Sequence, residues 1–179
     1  MPKTNLTEQK ISSYSLPTEA SWAIKSRKSA LNWLKTTRLP NRRDEYWKNT
    51  DPSYFNTIKK PERNKIDYVE NSIFENIDRI NIVFEDGYFN ASKSDKLLLK
   101  GIEIDTISVA NQKDNHWSAN HFGVLEKSSQ VPVERTLASL NTAFAVEGLA
   151  IKITDKIDKP ISITYLHTNK TSDALIHHV

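Results

Sequence analysis

Three short apolar alternations close the sequence: Leu149, Ile151 and Ile153; Ile161, Ile163 and Tyr165; Leu175, His177 and Val179. Alternation with period two marks strands that turn one face to a core. The segments begin at Leu149, Ile161 and Leu175, steps of 12 and 14 residues, and polar turns run from Asp155 to Pro160 and from Thr168 to Asp173. Strands so short and so evenly spaced restrict this part of the chain to a sandwich, a barrel or a stacked β-solenoid. No turn, charge or capping helix follows the last alternation. An uncovered final rung of a stack leaves backbone groups and apolar side chains without partners. The expectation is that residues 148–179 are the incomplete first strands of a longer stack, with an open end through which the chain self-associates.

The front of the chain reads differently. Met1 to Leu16 is polar and aperiodic. Ala20, Ala23, Ile24, Ala30, Leu31 and Leu34 then follow helical spacing beside Trp22 and Trp33, which predicts a helix from a Thr18 cap to about Thr37, stopped by Leu39-Pro40. The next stretch, Leu39 to Asp51, predicts a second short helix capped by Asn41 and ended by Pro52, the two forming an angled pair. Residues 52–64 read as a surface connector. Extended structure is predicted from about Tyr68, with a hairpin at Asp86-Gly87 between Arg79–Phe84 and Tyr88-Phe89, and period-two alternation continues from Leu97 to Val109 around Gly101. Helical segments are predicted for His116 to Lys127 and from Pro132 to about Phe144. The fold class is therefore α+β in three parts: 1–65 an arm and helical pair, 66–147 mixed strand and helix, 148–179 the final strands.

Charge and composition exclude more than they assign. No cysteine is present, so thiolate nucleophiles, thiolate ligands and disulfides are absent. No stretch has transmembrane length or a secretory h-region, and a cytoplasmic protein is expected. Residues 1–65 carry 14 Lys and Arg against 6 Asp and Glu, a net +8, while the remainder is −5. With tryptophan and tyrosine interleaved, that basic front makes a nucleic-acid-binding module the alternative reading; a solvated lysine-coated surface explains it more simply. His116 and His121 are five apart, His177 and His178 adjacent, and His167 has no evident third ligand, so no metal site is expected. Gly87, Gly101, Gly123 and Gly148 are too dispersed for a phosphate loop. Asp44/Glu45 and Glu85/Asp86 sit in turn or capping contexts, and neither is a catalytic pair.

Two blocks remain. The first is Trp33-Leu34-Lys35 followed by Leu39, Pro40, Arg42, Arg43, Glu45, Trp47, Lys48 and Thr50; the second is Ser139-Leu-Asn141-Thr142-Ala-Phe144, Gly148 and Lys159-Pro-Ile161. For the first, helix packing and charge pairs at helical spacing, with Arg43 against Trp47, weigh more than a binding surface. Together the blocks resemble the SufB/SufD family of iron–sulfur cluster assembly proteins, on its SufD side. The resemblance implies a helical region leading into a right-handed parallel β-helix. It also implies a non-catalytic scaffold role in a SufBCD complex. SufC would carry the ATPase, and the contacts to SufB and SufC would lie beyond residue 179. No catalytic, cofactor-binding or metal-binding residue is implied in this chain, and the iron–sulfur cluster would be held transiently by the full complex. Leu39, Pro40, Arg42, Arg43, Glu45, Trp47, Lys48, Asn141, Thr142 and Gly148 are expected to be structural, with neither nucleic acid nor membrane as partner.

Overall fold

The computed structural model describes residues 5–18, 21–59, 74–128, 133–167 and 173–179. The strand and helix starts expected at Tyr68 and Pro132 lie outside these residues. In chain order the helices are α1 (Leu6–Ser12), α2 (Ser21–Leu34), α3 (Ser53–Asn56), α4 (Ile107–Ala110), α5 (Val124–Ser128) and α6 (Thr136–Phe144). The strands are β1 (Ile80–Glu85), β2 (Tyr88–Phe89), β3 (Leu98–Leu99), β4 (Ile102–Thr106), β5 (Leu149–Ile153) and β6 (Ile161–Leu166).

Two three-stranded sheets form, β2-β1-β6 and β3-β4-β5. Their apolar faces supply one core: Ile80, Ile82 and Phe84 from β1, Ile102 and Ile104 from β4, and Leu149 from β5, with Ile161 and Ile163 of β6 packed against them. Burying a side chain of this size contributes about 1.5–3 kcal/mol. The alternation read from sequence holds at Ile80, Ile82 and Phe84, at Ile102 and Ile104, and at Leu149 and Ile151, each set turned to the shared core, while Ile153 at the end of β5 is 62 % exposed. The hairpin is also present. Phe84 pairs with Phe89 and Glu85 with Tyr88, so Asp86 and Gly87 form the two-residue turn, both at positive φ (45° and 90°).

Pairing within the sheets is mixed. β1 and β2 are antiparallel, as are β3 with β4 and β4 with β5. In contrast, β1 and β6 run parallel in register from Ile80↔Ile161 to Glu85↔Leu166. The last residues add a second parallel contact. His177 N–H donates to the Glu147 carbonyl (2.9 Å), Val179 N–H to the Leu149 carbonyl (2.8 Å), and Ile151 N–H to the Val179 carbonyl (2.8 Å). The chain thus passes from one sheet (β5) to the other (β6) and returns alongside β5. Among the described residues the two sheets do not close into a barrel.

The helical layer is built on α2 and α6, which pack together. Ala23, Ala30 and Leu34 of α2 are buried as their spacing requires, and so is Arg27, 1 % exposed, on the same stripe. Ala30 and Leu34 meet Leu140, Ala143 and Phe144 of α6.

Five local expectations are corrected. α2 ends at Leu34, not near Thr37; Thr36 instead closes a turn, both its N–H and its hydroxyl donating to the Trp33 carbonyl. Ile107 and Val109 lie in α4, not a strand, because the Thr106 hydroxyl accepts the Val109 N–H and starts a helical turn. His116 to Lys127 is two short pieces, a 3-10 turn at Trp117–Asn120 and α5, separated by Gly123 at φ 71°. Residues 41–51 hold a single 3-10 turn, Glu45–Trp47, in place of a helix. Asn41 Oδ1 accepts the Arg43 N–H, Asp44 accepts the Asn41 N–H, and Asp51 accepts the Ser53 N–H. These side chains satisfy the local backbone outside a helix, which is how Asn and Asp interrupt helical runs. Pro52 precedes α3 and so opens a helix where it was expected to end one.

Candidate functional site: the joint around Gly148 and the last strand segment

The second sequence block converges on the backbone of residues 175–179. The Asn141 side-chain amide donates to the Ile176 carbonyl (2.9 Å) across 35 residues. Gly148 sits at φ 144°, and a Cβ there would fall into the carbonyl of His177. Only glycine permits that approach without strain. Its own carbonyl accepts the Ile107 N–H (3.0 Å), so α4, β5 and the last segment meet at one residue. Thr142 is buried, and its carbonyl and that of Ala143 accept from Arg27 at 3.3 and 3.2 Å. A cation at the last carbonyls of α6 also complements the negative end of the helix dipole.

Behind this joint lies an aromatic stack. The Arg27 guanidinium lies 5.0 Å from the Phe122 ring, and the His177 ring lies 4.4 Å from the same ring. Burial, with Arg27 and His178 nearby, pushes the His177 imidazole down to about 4, so it is neutral at pH 7. His178 points the other way, as alternation in an extended segment demands. Its Nδ1 accepts the Leu149 N–H (3.1 Å) and its Nε2 lies 2.6 Å from the Tyr165 hydroxyl. One histidine therefore links the last segment to both sheets.

The first block is placed elsewhere. Leu39 and Pro40 are buried, with the Leu39 N–H on the Thr7 hydroxyl (3.1 Å) and the Pro40 carbonyl on the Asn56 amide (2.6 Å). Arg42, Arg43, Glu45 and Lys48 are exposed, and Trp47 is half-buried against Phe55 at 6.1 Å. Glu45 pairs with Lys48 at i,i+3 spacing. Tyr46 is 68 % exposed, so it does not pack a helical pair, and Trp47 finds Phe55 where Arg43 was expected.

A constellation missed from sequence is Asp105, His116 and Ser118. His116 Nε2 lies 3.1 Å from Asp105 Oδ2 and Nδ1 lies 2.6 Å from Ser118 Oγ. Nδ1 also accepts the Ser118 N–H (3.2 Å), which leaves the ring proton on Nε2, facing the carboxylate. Burial opposes ionisation of Asp105, but the hydrogen bonds from Lys113 and His116 outweigh it and hold the carboxyl below its usual range. The polarity is that of a nucleophile–base–acid relay. Access is not: the neighbouring surface cavity is lined by Asp105, Lys113 and His116, while Ser118 is fully buried. A hydroxyl that no substrate can reach is not a nucleophile; the His116 ring, accepting the Ser118 N–H, caps the 3-10 turn.

Among the described residues no group of three or more His, Asp or Glu side chains is arranged to hold a metal ion, and no helix is long and apolar enough to cross a membrane. No curated protein matches the chain. The family described as SufBD protein N-terminal region matches residues 8–163, which takes in both blocks up to Ile161. The chain belongs to the SufB/SufD family of iron–sulfur cluster assembly proteins, as an amino-terminal region of that family.

Proposed function

We propose that this chain is the amino-terminal region of a SufD-type scaffold subunit, and that residues 149–179 are the first turns of a right-handed parallel β-helix. In this reading the chain is not an enzyme. ATP hydrolysis belongs to a SufC partner, SufB pairs with the full-length subunit, and both contacts lie beyond residue 179. The iron–sulfur cluster is cargo of the assembled complex, and the setting is cytoplasmic.

The observation that carries the reading is the pair of parallel contacts. β6 lies parallel to β1 in one sheet, and His177–Val179 lies parallel to Glu147–Ile151 in the other. Parallel pairing requires a crossover, and a chain that alternates between two facing sheets while pairing parallel in each repeats the path of a coil. An antiparallel sandwich built from hairpins has no need of either contact. The open edge beside His177–Val179 is also the surface through which further strands, or a second copy, would add.

Co-expression of the full-length protein with SufB and SufC partners tests this. Stoichiometric co-purification, with ATPase activity only in preparations containing SufC, is the expected result. A full-length chain that stays apart from both partners, or hydrolyses ATP alone, contradicts it.

A further inference from the structure

The scaffold reading makes no use of the surface formed by residues 42–59. It exposes an unusual set of side chains: Tyr46 at 68 %, Tyr54 at 50 % and Phe55 at 44 %, beside half-buried Trp47 and exposed Arg42 and Arg43. Monomeric surfaces carry single exposed apolar residues routinely, but here Trp47, Phe55 and Tyr54 touch ring to ring, and aromatic residues together with arginine are enriched in binding surfaces.

We propose that this patch docks an acidic, amphipathic segment of another protein. The local acids are already engaged. Asp44 is paired with Arg38 and accepts the Asn41 N–H, Glu45 is paired with Lys48, and Asp51 accepts the Ser53 N–H. Among the described residues neither Arg42 nor Arg43 has a carboxylate within ion-pair distance, although Arg42 acts on Asp51 from farther away. Two exposed guanidinium groups, four and five residues before Trp47 in sequence, are therefore open to the carboxylates of a partner.

The patch is also held in place before anything binds. Asn56 donates to the Pro40 carbonyl (2.6 Å), and the buried Lys10 ammonium donates to the Thr57 carbonyl (2.7 Å) and to Asp173 (2.9 Å). Docking then costs little ordering of the backbone. The ring arrangement favours protein over single-stranded nucleic acid. Tyr54 meets Phe55 edge-on, Phe55 is tilted against Trp47, and the Lys59 ammonium lies 3.6 Å from the Tyr54 ring centre. Nucleobases need open, stackable ring faces, whereas apolar side chains pack into an edge-to-face group.

The proposal does not depend on the scaffold reading and is tested separately. The chain is titrated with a fluorescein-labelled amphipathic peptide bearing Asp and Glu around a leucine stripe, with its Asn/Gln counterpart, and with a labelled oligothymidylate. The acidic peptide is expected to bind, and its affinity to fall about tenfold or more in Arg42→Ser/Arg43→Ser and in Phe55→Ser. The affinity is expected to be unchanged in a control, Lys25→Ser/Lys28→Ser, which removes two exposed cations from α2. Unaltered circular dichroism of each variant shows that folding is not the cause. Any of the following overturns the proposal: no binding at low salt, equal binding of the uncharged peptide, an equal loss in the control, or tighter binding of the oligothymidylate.

Discussion

Residues 39–56 and residues 136–179 hold the two blocks that single this sequence out, and they use their polar side chains in opposite ways. In the first region Asn41, Asp44 and Asp51 bond to backbone within three residues, and the arginines and aromatics are left at the surface. In the second, Asn141 reaches Ile176, the Thr142 and Ala143 carbonyls accept from Arg27 of α2, and Gly148 admits the carbonyl of His177. Apart from Leu39, whose N–H bonds Thr7, and Asn56, which bonds the Pro40 carbonyl, the first region satisfies itself locally and has side chains to spare. The other spends its side chains joining segments far apart in sequence. A motif's presence in both therefore does not mean the same thing: the second block is needed to form the joint, and the first is available for contact.

Substitution should separate the two regions most sharply at Gly148. Gly148→Ala is expected to cost about 3–4 kcal/mol, because the new Cβ meets the His177 backbone at a strained φ. Urea denaturation measures it, and a loss below about 1 kcal/mol would remove the close approach from the account. Next is Arg27→Met, which leaves the Thr142 and Ala143 carbonyls buried without their donor and is expected to cost about 2–3 kcal/mol in the same assay.

Acid should weaken the joint specifically. The folded-state value of His177 is about 4 against 6.5 ordinarily, so between those pH values the unfolded chain holds a proton that the folded chain does not. The contribution is present above pH 6.5 and is lost as pH falls towards 4, by roughly 3 kcal/mol. In His177→Gln this limb of the stability–pH curve should flatten; an unchanged curve would show that His177 titrates alike in both states. Asn141→Ala is expected to cost about 1 kcal/mol through the single bond to Ile176. The smallest effect belongs to the first region: Arg42→Ser/Arg43→Ser should shift stability by less than about 0.5 kcal/mol. A larger loss would make those arginines part of the fold and blur the contrast between the regions.

What could be read from the sequence divides along similar lines. The Asp86-Gly87 turn and the alternations of β1, β5 and β6 were legible because period and turn chemistry are local. The apolar face of α2 was legible for the same reason, except at Arg27, where the buried cation depends on carbonyls 115 and 116 residues away. His116, Asp105 and Ser118 were invisible as a group, since β4 and the 3-10 turn are brought together only by packing. Their one local signal was the His-x-Ser spacing, which fits a side-chain cap. Residues 41–51 misled because their apolar and charged spacing suits a helix, while Asn41, Asp44 and Asp51 each offered the backbone a nearer partner. Nothing local marked Gly148 as a joint; its role depends on a segment 29 residues later.

The last segment lies parallel to β5, and the proposed β-helix makes it the return of a coil whose outer edge takes the next strand. Residue-resolved amide exchange on the 179-residue chain and on the full-length protein tests it directly. In the shorter chain His177 and Ile151, whose N–H groups are bonded, should exchange slowly, and His178, whose N–H has no backbone partner among the described residues, should exchange fast. In the full-length protein His178 should become as slow as His177, because the following coil would supply its acceptor. Fast exchange at His177 in both proteins, or no slowing of His178 in the longer one, would contradict the account.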